Sequence, residues 1–201
     1  MWLKQDQHPG DRLRLFREVG RSVPCDRVLY PGSYVDVAAS FTFPSVTYVD
    51  SDDRAAAFFA DRDGVQELVG AQPGAPEDAT VTFIHSDYRA ALPVAAESCD
   101  LLVSLYAGFV SEFCTQYLRV GGTLLVNPSH GDAAMASIDP RYRLAGVVRS
   151  RSGQYSVTTA ELERYLIPKK SITPSRDSLH TSGRGVAYTR PAFAYLFQRV
   201  Q

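Results

Sequence analysis

RVLYPGSYVDVAASFTFPSVTYVD, residues 27–50, is the stretch on which the fold turns. Val28 to Tyr30 is a short apolar run, Tyr30-Pro31-Gly32-Ser33-Tyr34 is a turn, and residues 33–40 suit a brief helix. Phe41-Thr42-Phe43-Pro44 must leave the helix, because a residue before proline avoids helical backbone angles. Val46 to Val49 is a second apolar run, and it ends on Asp50. Strand, glycine turn, helix, strand and acid make the opening unit of a nucleotide-binding α/β sheet. In such a sheet the first turn holds the ligand and the acid holds a ribose. This turn carries one glycine, Gly32, where two or three are usual.

The neighbouring stretches extend the same rhythm. Upstream, Leu13, Phe16 and Val19 stand at helical spacing and Gly20 follows as a stop. Downstream, Ser51 is the expected N-cap of a helix that begins with two acids, and Gly64 is the expected interruption. Thr80 to Ile84 and Leu101 to Leu105 read as the third and fourth strands, and Pro93 rules out a long helix between them. Phe109, Val110, Phe113, Cys114, Tyr117 and Leu118 share one helical face. Gly121-Gly122 is expected to end that helix just before a fifth strand, Thr123 to Val126. Strands alternating with helical patterns predict a mostly parallel sheet with helices on both faces. Beyond residue 127, Leu144 to Val148 reads as a strand and GQYSVTT as its hairpin return. Thr158-x-x-Glu161 is expected to form a capping box for a helix carrying Leu162, Tyr165 and Leu166. KKSITPSRDSLHTSGRG reads as a polar loop or flap, and Phe193 to Val200 as the closing strand.

Composition sets the outer bounds. With 201 residues, 45% hydrophobic and 21% charged, the chain suits one globular domain, residues 1–201. Within it, residues 1–24 are expected to be an N-terminal helical segment and 151–190 an insertion or flap before the last strand. A net charge of −1 gives no overall pull toward nucleic acid or membrane. No apolar run approaches the roughly 18 residues of a membrane span. The N-terminus lacks the apolar core of a secretory signal. Three cysteines without C-x-x-C spacing suggest neither a disulfide framework nor zinc. The expectation is a cytoplasmic protein with reduced thiols.

Taken in order, VLYPGS, TYVDSD, IHSDYRAAL, CDLLVSLYAG and LRVGGTLLVN resemble the segments of a class I S-adenosylmethionine-dependent methyltransferase. The likeness covers residues 11–150 and the final strand. It implies a Rossmann-like, seven-stranded, mostly parallel sheet with an antiparallel last strand. It also implies S-adenosylmethionine as cofactor and a methyl acceptor as substrate. The acceptor expected is a small molecule, with no nucleic acid and no membrane as partner. The first turn departs from the family's acid-x-Gly-x-Gly-x-Gly: Tyr30 stands for the acid, Gly32 for the first glycine, Tyr34 for the second and Asp36 for the third. Each added Cβ keeps a ligand further from the backbone. The resemblance therefore leaves two readings, a methyltransferase and a non-catalytic relative that serves in binding or assembly. A nicotinamide-dependent oxidoreductase is compatible with Asp50 but lacks G-x-G-x-x-G.

The resemblance assigns cofactor contacts to Gly32, Ser33, Asp36, Asp50, Ser51, Asp87, Tyr88 and Ser104. Asp36 is the substitute partner for the cofactor's ammonium. The alternative for Asp50 and for Asp87 is a capping role at the next segment. Tyr106, at the end of the fourth strand, and His130, in the Asn127–Asp132 cluster after the fifth, are the catalytic candidates. Packing for Tyr106 and a plain Asn-Pro turn for the cluster are the alternatives. Lys169, Lys170, Arg176, Arg184 and Arg190 make the late segment basic. They suit an anionic substrate, a lid or a solvated loop. Trp2 and the aromatics of the first helix suggest a subunit contact, and hence a homo-oligomer.

Overall fold

The computed structural model describes residue 2, residues 8–171 and residues 173–201. Eight strands form one sheet: β1 Arg27–Pro31, β2 Ser45–Asp50, β3 Thr80–His85, β4 Cys99–Ser104, β5 Leu118–Val126, β6 Tyr142–Arg151, β7 Gln154–Thr158 and β8 Ala194–Arg199. Their spatial order is β3-β2-β1-β4-β5-β8-β6-β7. The first five strands pair in parallel, and β8 enters antiparallel between β5 and β6. The eighth strand is β7, which returns antiparallel along β6 as the hairpin pattern predicts. Strand order reverses at β1/β4, where the first turn and the loop after β4 face each other. Ligands of open α/β sheets bind at such a crevice.

Helices cover both faces. On one side α1 (Asp11–Ser22), α2 (Asp53–Ala60) and α3 (Arg62–Gly70) pack with Val28, Tyr30, Val46 and Tyr48. On the other, α4 (Val110–Cys114), α5 (Asp132–Ile138) and α6 (Arg176–Ser182) pack with Leu29, Val49, Leu102 and Leu124. With both faces buried, the central strands read as continuous apolar runs instead of alternating ones. Trp2 is buried edge-on against Phe41, with ring centroids 5.6 Å apart. Phe16 is buried against Tyr30 and Phe43. These aromatics belong to the core, so the subunit contact expected of them is corrected. Of the expected 1–24 helical segment, residues 1 and 3–7 lie outside the described residues.

Several local expectations also change. Asp52, not Ser51, caps α2 by accepting from the Arg54 N–H at 2.8 Å. The helix breaks at Asp61, whose side chain accepts from the Gly64 N–H, so Gly64 lies inside α3 and not at the break. Gly121-Gly122 does not end a helix. β5 already starts at Leu118, and the pair sits where its register with β4 slips. Gly121 holds φ +82° there, and a Cβ on Gly122 would lie 3.0 Å from the Asp100 carbonyl oxygen. The Thr158–Glu161 capping box does not form. Glu161 takes φ 51°, and residues Leu162–Leu166 make a 3-10 turn. Conversely, part of the expected loop is helical: α6 is capped by reciprocal Ser175 and Ser178 hydrogen bonds and ends at Gly183 with φ 57°.

Candidate functional site

The segment after β1 is organised by two buried tyrosines. Tyr48 on β2 donates to the Val37 carbonyl at 3.0 Å and accepts from the Ser40 N–H at 3.0 Å. Residues 38–41 are thereby held as a 3-10 turn, in place of the brief helix expected over residues 33–40. Tyr30 donates to Asp36 Oδ2 at 3.0 Å, and Asp36 Oδ1 accepts from the Ala38 N–H at 3.2 Å. From α1, Arg12 Nε approaches Asp36 Oδ2 at 3.3 Å. Burial, followed by the neighbouring Asp36 charge, pushes the Tyr30 phenol well above its usual range, so it stays a donor. The Arg12 guanidinium also lies over the Tyr106 ring, 5.0 Å from its centroid. One helix therefore steadies both the first turn and the loop after β4.

The turn itself keeps the backbone path of a glycine turn. Gly32 has φ +66°, and Tyr34, at the position of a family glycine, has φ 48°. A non-glycine residue in this region costs about 1–2 kcal/mol. Asp50 offsets part of that cost by accepting the Tyr34 N–H on Oδ2 at 2.7 Å. Its Oδ1 accepts the Asp52 N–H at 2.9 Å. Asp50 therefore braces the backbone on either side, while Asp52 performs the helix capping. A carboxylate has about four lone-pair sites, so roughly two remain for a ligand.

Gly32, Asp50, Ser51, Ser86, Asp87, Tyr88, Arg89 and Ala107 line a cleft of about 320 Å³ at the carboxyl ends of β1 to β4. Asp87 lines the same cleft as Asp50. Its two oxygens accept from Arg89 Nε at 2.9–3.0 Å, and the hydrogen bonds from the Arg89 side chain and backbone N–H hold the carboxyl below its usual range. Tyr88 donates to the Ala107 carbonyl at 2.6 Å, joining the loop after β3 to the loop after β4. Burial raises its phenol to about 12.

Five of the eight expected cofactor contacts therefore line the cleft: Gly32, Asp50, Ser51, Asp87 and Tyr88. Ser33, Asp36 and Ser104 are instead buried behind it. Ser104 Oγ donates to Asp132 Oδ2 at 2.5 Å, and Ser111 Oγ donates to Asp132 Oδ1 at 2.5 Å. Burial lifts the Asp132 carboxyl to about 6 in spite of these bonds. Tyr106 and His130 line no part of the cleft but are linked through Asn127. Asn127 Oδ1 accepts the Tyr106 N–H at 3.2 Å and the Ser129 hydroxyl at 2.9 Å, and that hydroxyl lies 2.9 Å from His130 Nδ1. Tyr106 is half exposed at φ 62°, an uncommon conformation for a bulky residue. Arg12, Ala107 and Asp132 were not singled out by sequence. Nothing in a helical or strand period marks Arg12 or Ala107, whereas Asp132 stands in the polar cluster after β5.

The Gly32 position is tight. A Cβ there would lie 2.4 Å from the Ala107 Cβ, on backbone that glycine alone adopts freely. Gly32→Ala is expected to destabilise the fold by about 1–3 kcal/mol. It should also push the two loops apart, as urea denaturation and ligand titration would register.

No protein-family model and no curated protein matches the sequence. Solved structures do match the fold. The 16S rRNA methylase RmtB aligns over 98% of this chain and 65% of its own, with 13% identity and a TM-score of 0.53. The tRNA (m1A58) methyltransferase TrmI from Aquifex aeolicus aligns over 98% and 71%, with 11% identity and a TM-score of 0.50. The yhhF protein from Escherichia coli aligns over 98% and 89%, with 11% identity and a TM-score of 0.53. The chain spans less than two thirds of RmtB and 58% of a similar Methanococcus maripaludis structure. At these identities the likeness concerns architecture alone. The chain has the fold of the class I S-adenosylmethionine-dependent methyltransferases.

Proposed function

We propose that the cleft binds S-adenosylmethionine and that the protein methylates a small molecule. The observation that carries this reading is Asp50: an acid at the end of β2 that lines the cleft and is fixed by two backbone N–H groups. Asp50 would take the ribose hydroxyls, Asp87 and Tyr88 would border the base, and Gly32 would pass beneath the nucleoside. The cofactor would supply an electrophilic methyl group. The chain's part is to bind, orient and exclude water, which needs few reactive side chains. Tyr106 and His130, joined through Asn127, are the groups proposed to position or deprotonate the acceptor. A net charge of −1 favours a small acceptor over an RNA backbone.

A specific observation favours a second reading, the non-catalytic relative. Asp36 is engaged by Tyr30, Ala38 and Arg12 and does not face the cleft, so it is not the ammonium partner expected of it. The close approach of Gly32 to Ala107 also narrows the way from the nucleoside end toward β4. Under this reading the cleft holds adenosine alone. Calorimetric titration separates the two. S-adenosylhomocysteine binding about tenfold or more tighter than adenosine supports the cofactor reading. Equal affinities support the non-catalytic one.

A further inference from the structure

The basic segment before β8 sorts its charges into two groups. Arg176 Nε lies 3.3 Å from Glu112 Oε1, and His180 Nε2 lies 2.8 Å from Glu112 Oε2, so one face of α6 grips α4. Arg190 pairs with Glu161 at 2.8 Å and lies over the Tyr165 ring. Lys169, Lys170 and Arg184 have no carboxylate within ion-pair distance among the described residues. All three border one cavity of about 680 Å³, within the size range of small-molecule sites. Buried Leu179 and Val186 give it an apolar floor.

This cavity is held in place by backbone contacts. Lys169 N–H donates to the Ala187 carbonyl at 2.8 Å and Thr189 N–H to the Ile167 carbonyl at 2.8 Å. Gly185 packs against Pro128 so closely that no Cβ fits between them, and a Cβ on Gly131 would lie 3.0 Å from the Arg184 carbonyl oxygen. The Arg184–Gly185 wall therefore sits on the loop that follows β5, at the same end of the sheet as the cleft. Three cations without a carboxylate partner around a cavity with an apolar floor suit an anion with an apolar body.

We infer that this cavity binds a small phosphate monoester, Lys169, Lys170 and Arg184 holding the phosphate while Leu179 and Val186 underlie the apolar part. Three cations match a group carrying nearly two negative charges near neutral pH. That this ligand is the methyl acceptor rests on the function proposed above; the anion site itself does not.

Calorimetry on the full chain tests the inference with phenyl phosphate as probe. Saturable binding is expected, tighter than for inorganic phosphate, benzoate or phenol. Lys169→Gln combined with Arg184→Gln should weaken it about tenfold or more. Arg149→Gln, an exposed cation on β6, should leave it unchanged. Equal binding by the double variant, or benzoate binding as tightly as phenyl phosphate, would overturn the assignment. So would a short single-stranded RNA that displaces phenyl phosphate and depends on the same two residues. Asp50→Ala should retain phenyl phosphate binding. Wild-type protein that binds the probe but not S-adenosylhomocysteine would thus sink the cofactor reading while leaving the anion site standing.

Discussion

Asp50→Ala is expected to remove most of the affinity for S-adenosylmethionine and S-adenosylhomocysteine, by about a hundredfold, or roughly 2.7 kcal/mol. The magnitude follows from losing a carboxylate that would accept two hydroxyls, since hydrogen bonds to charged groups contribute about 1.5–3 kcal/mol each. A second part comes from the turn. Without Asp50 the Tyr34 N–H loses its acceptor, and the left-handed residue at the head of the cleft is no longer braced. Asp50→Asn should retain part of that brace through its amide oxygen, with an intermediate loss. Calorimetry on both variants checks this. Wild-type affinity in Asp50→Ala would mean that the ligand lies elsewhere.

Asp132→Asn is expected to raise stability above pH 6 relative to the wild type. The Asp132 carboxyl titrates near 6 in the folded protein, from an ordinary value of 3.8, because it is buried. Between those values the folded state holds a proton that the unfolded state has released, so stability falls as pH rises through this window. The contribution is complete below 3.8 and lost above about 6. A displacement of this size corresponds to about 3 kcal/mol. Asparagine has no such titration and can still accept from the Ser111 N–H. Urea denaturation at pH 4 and pH 8 should show the variant gaining on the wild type by up to ~3 kcal/mol over that range. A difference independent of pH would mean that Asp132 is ionised in the fold throughout.

The sheet was legible because its parallel strands are buried on both faces and leave apolar runs such as residues 28–30 and 46–49. What depended on distant partners was not. The slip in β5 exists only against β4, so Gly121-Gly122 read as a helix end when it lies within a strand. The Thr158–Glu161 pattern was sound local chemistry, but Thr158 pairs with Val147 as the last residue of β7. In the site, Asp50, Asp87 and Gly32 could be placed from strand ends alone. Asp36 could not, because Tyr30 and Arg12 draw its carboxylate away from the cleft. The unusual residues of the first turn prove to be one arrangement. Tyr30 and Asp36 bond to each other beneath it, and Tyr34 takes the conformation in which the family uses glycine.

The direct test of the account is thermal or urea denaturation of the wild-type protein with S-adenosylmethionine. At a hundred times its dissociation constant the ligand is predicted to stabilise the fold by about 2.7 kcal/mol, with S-adenosylhomocysteine acting alike and Asp50→Ala responding little. No change in stability at millimolar S-adenosylmethionine would contradict the cofactor assignment.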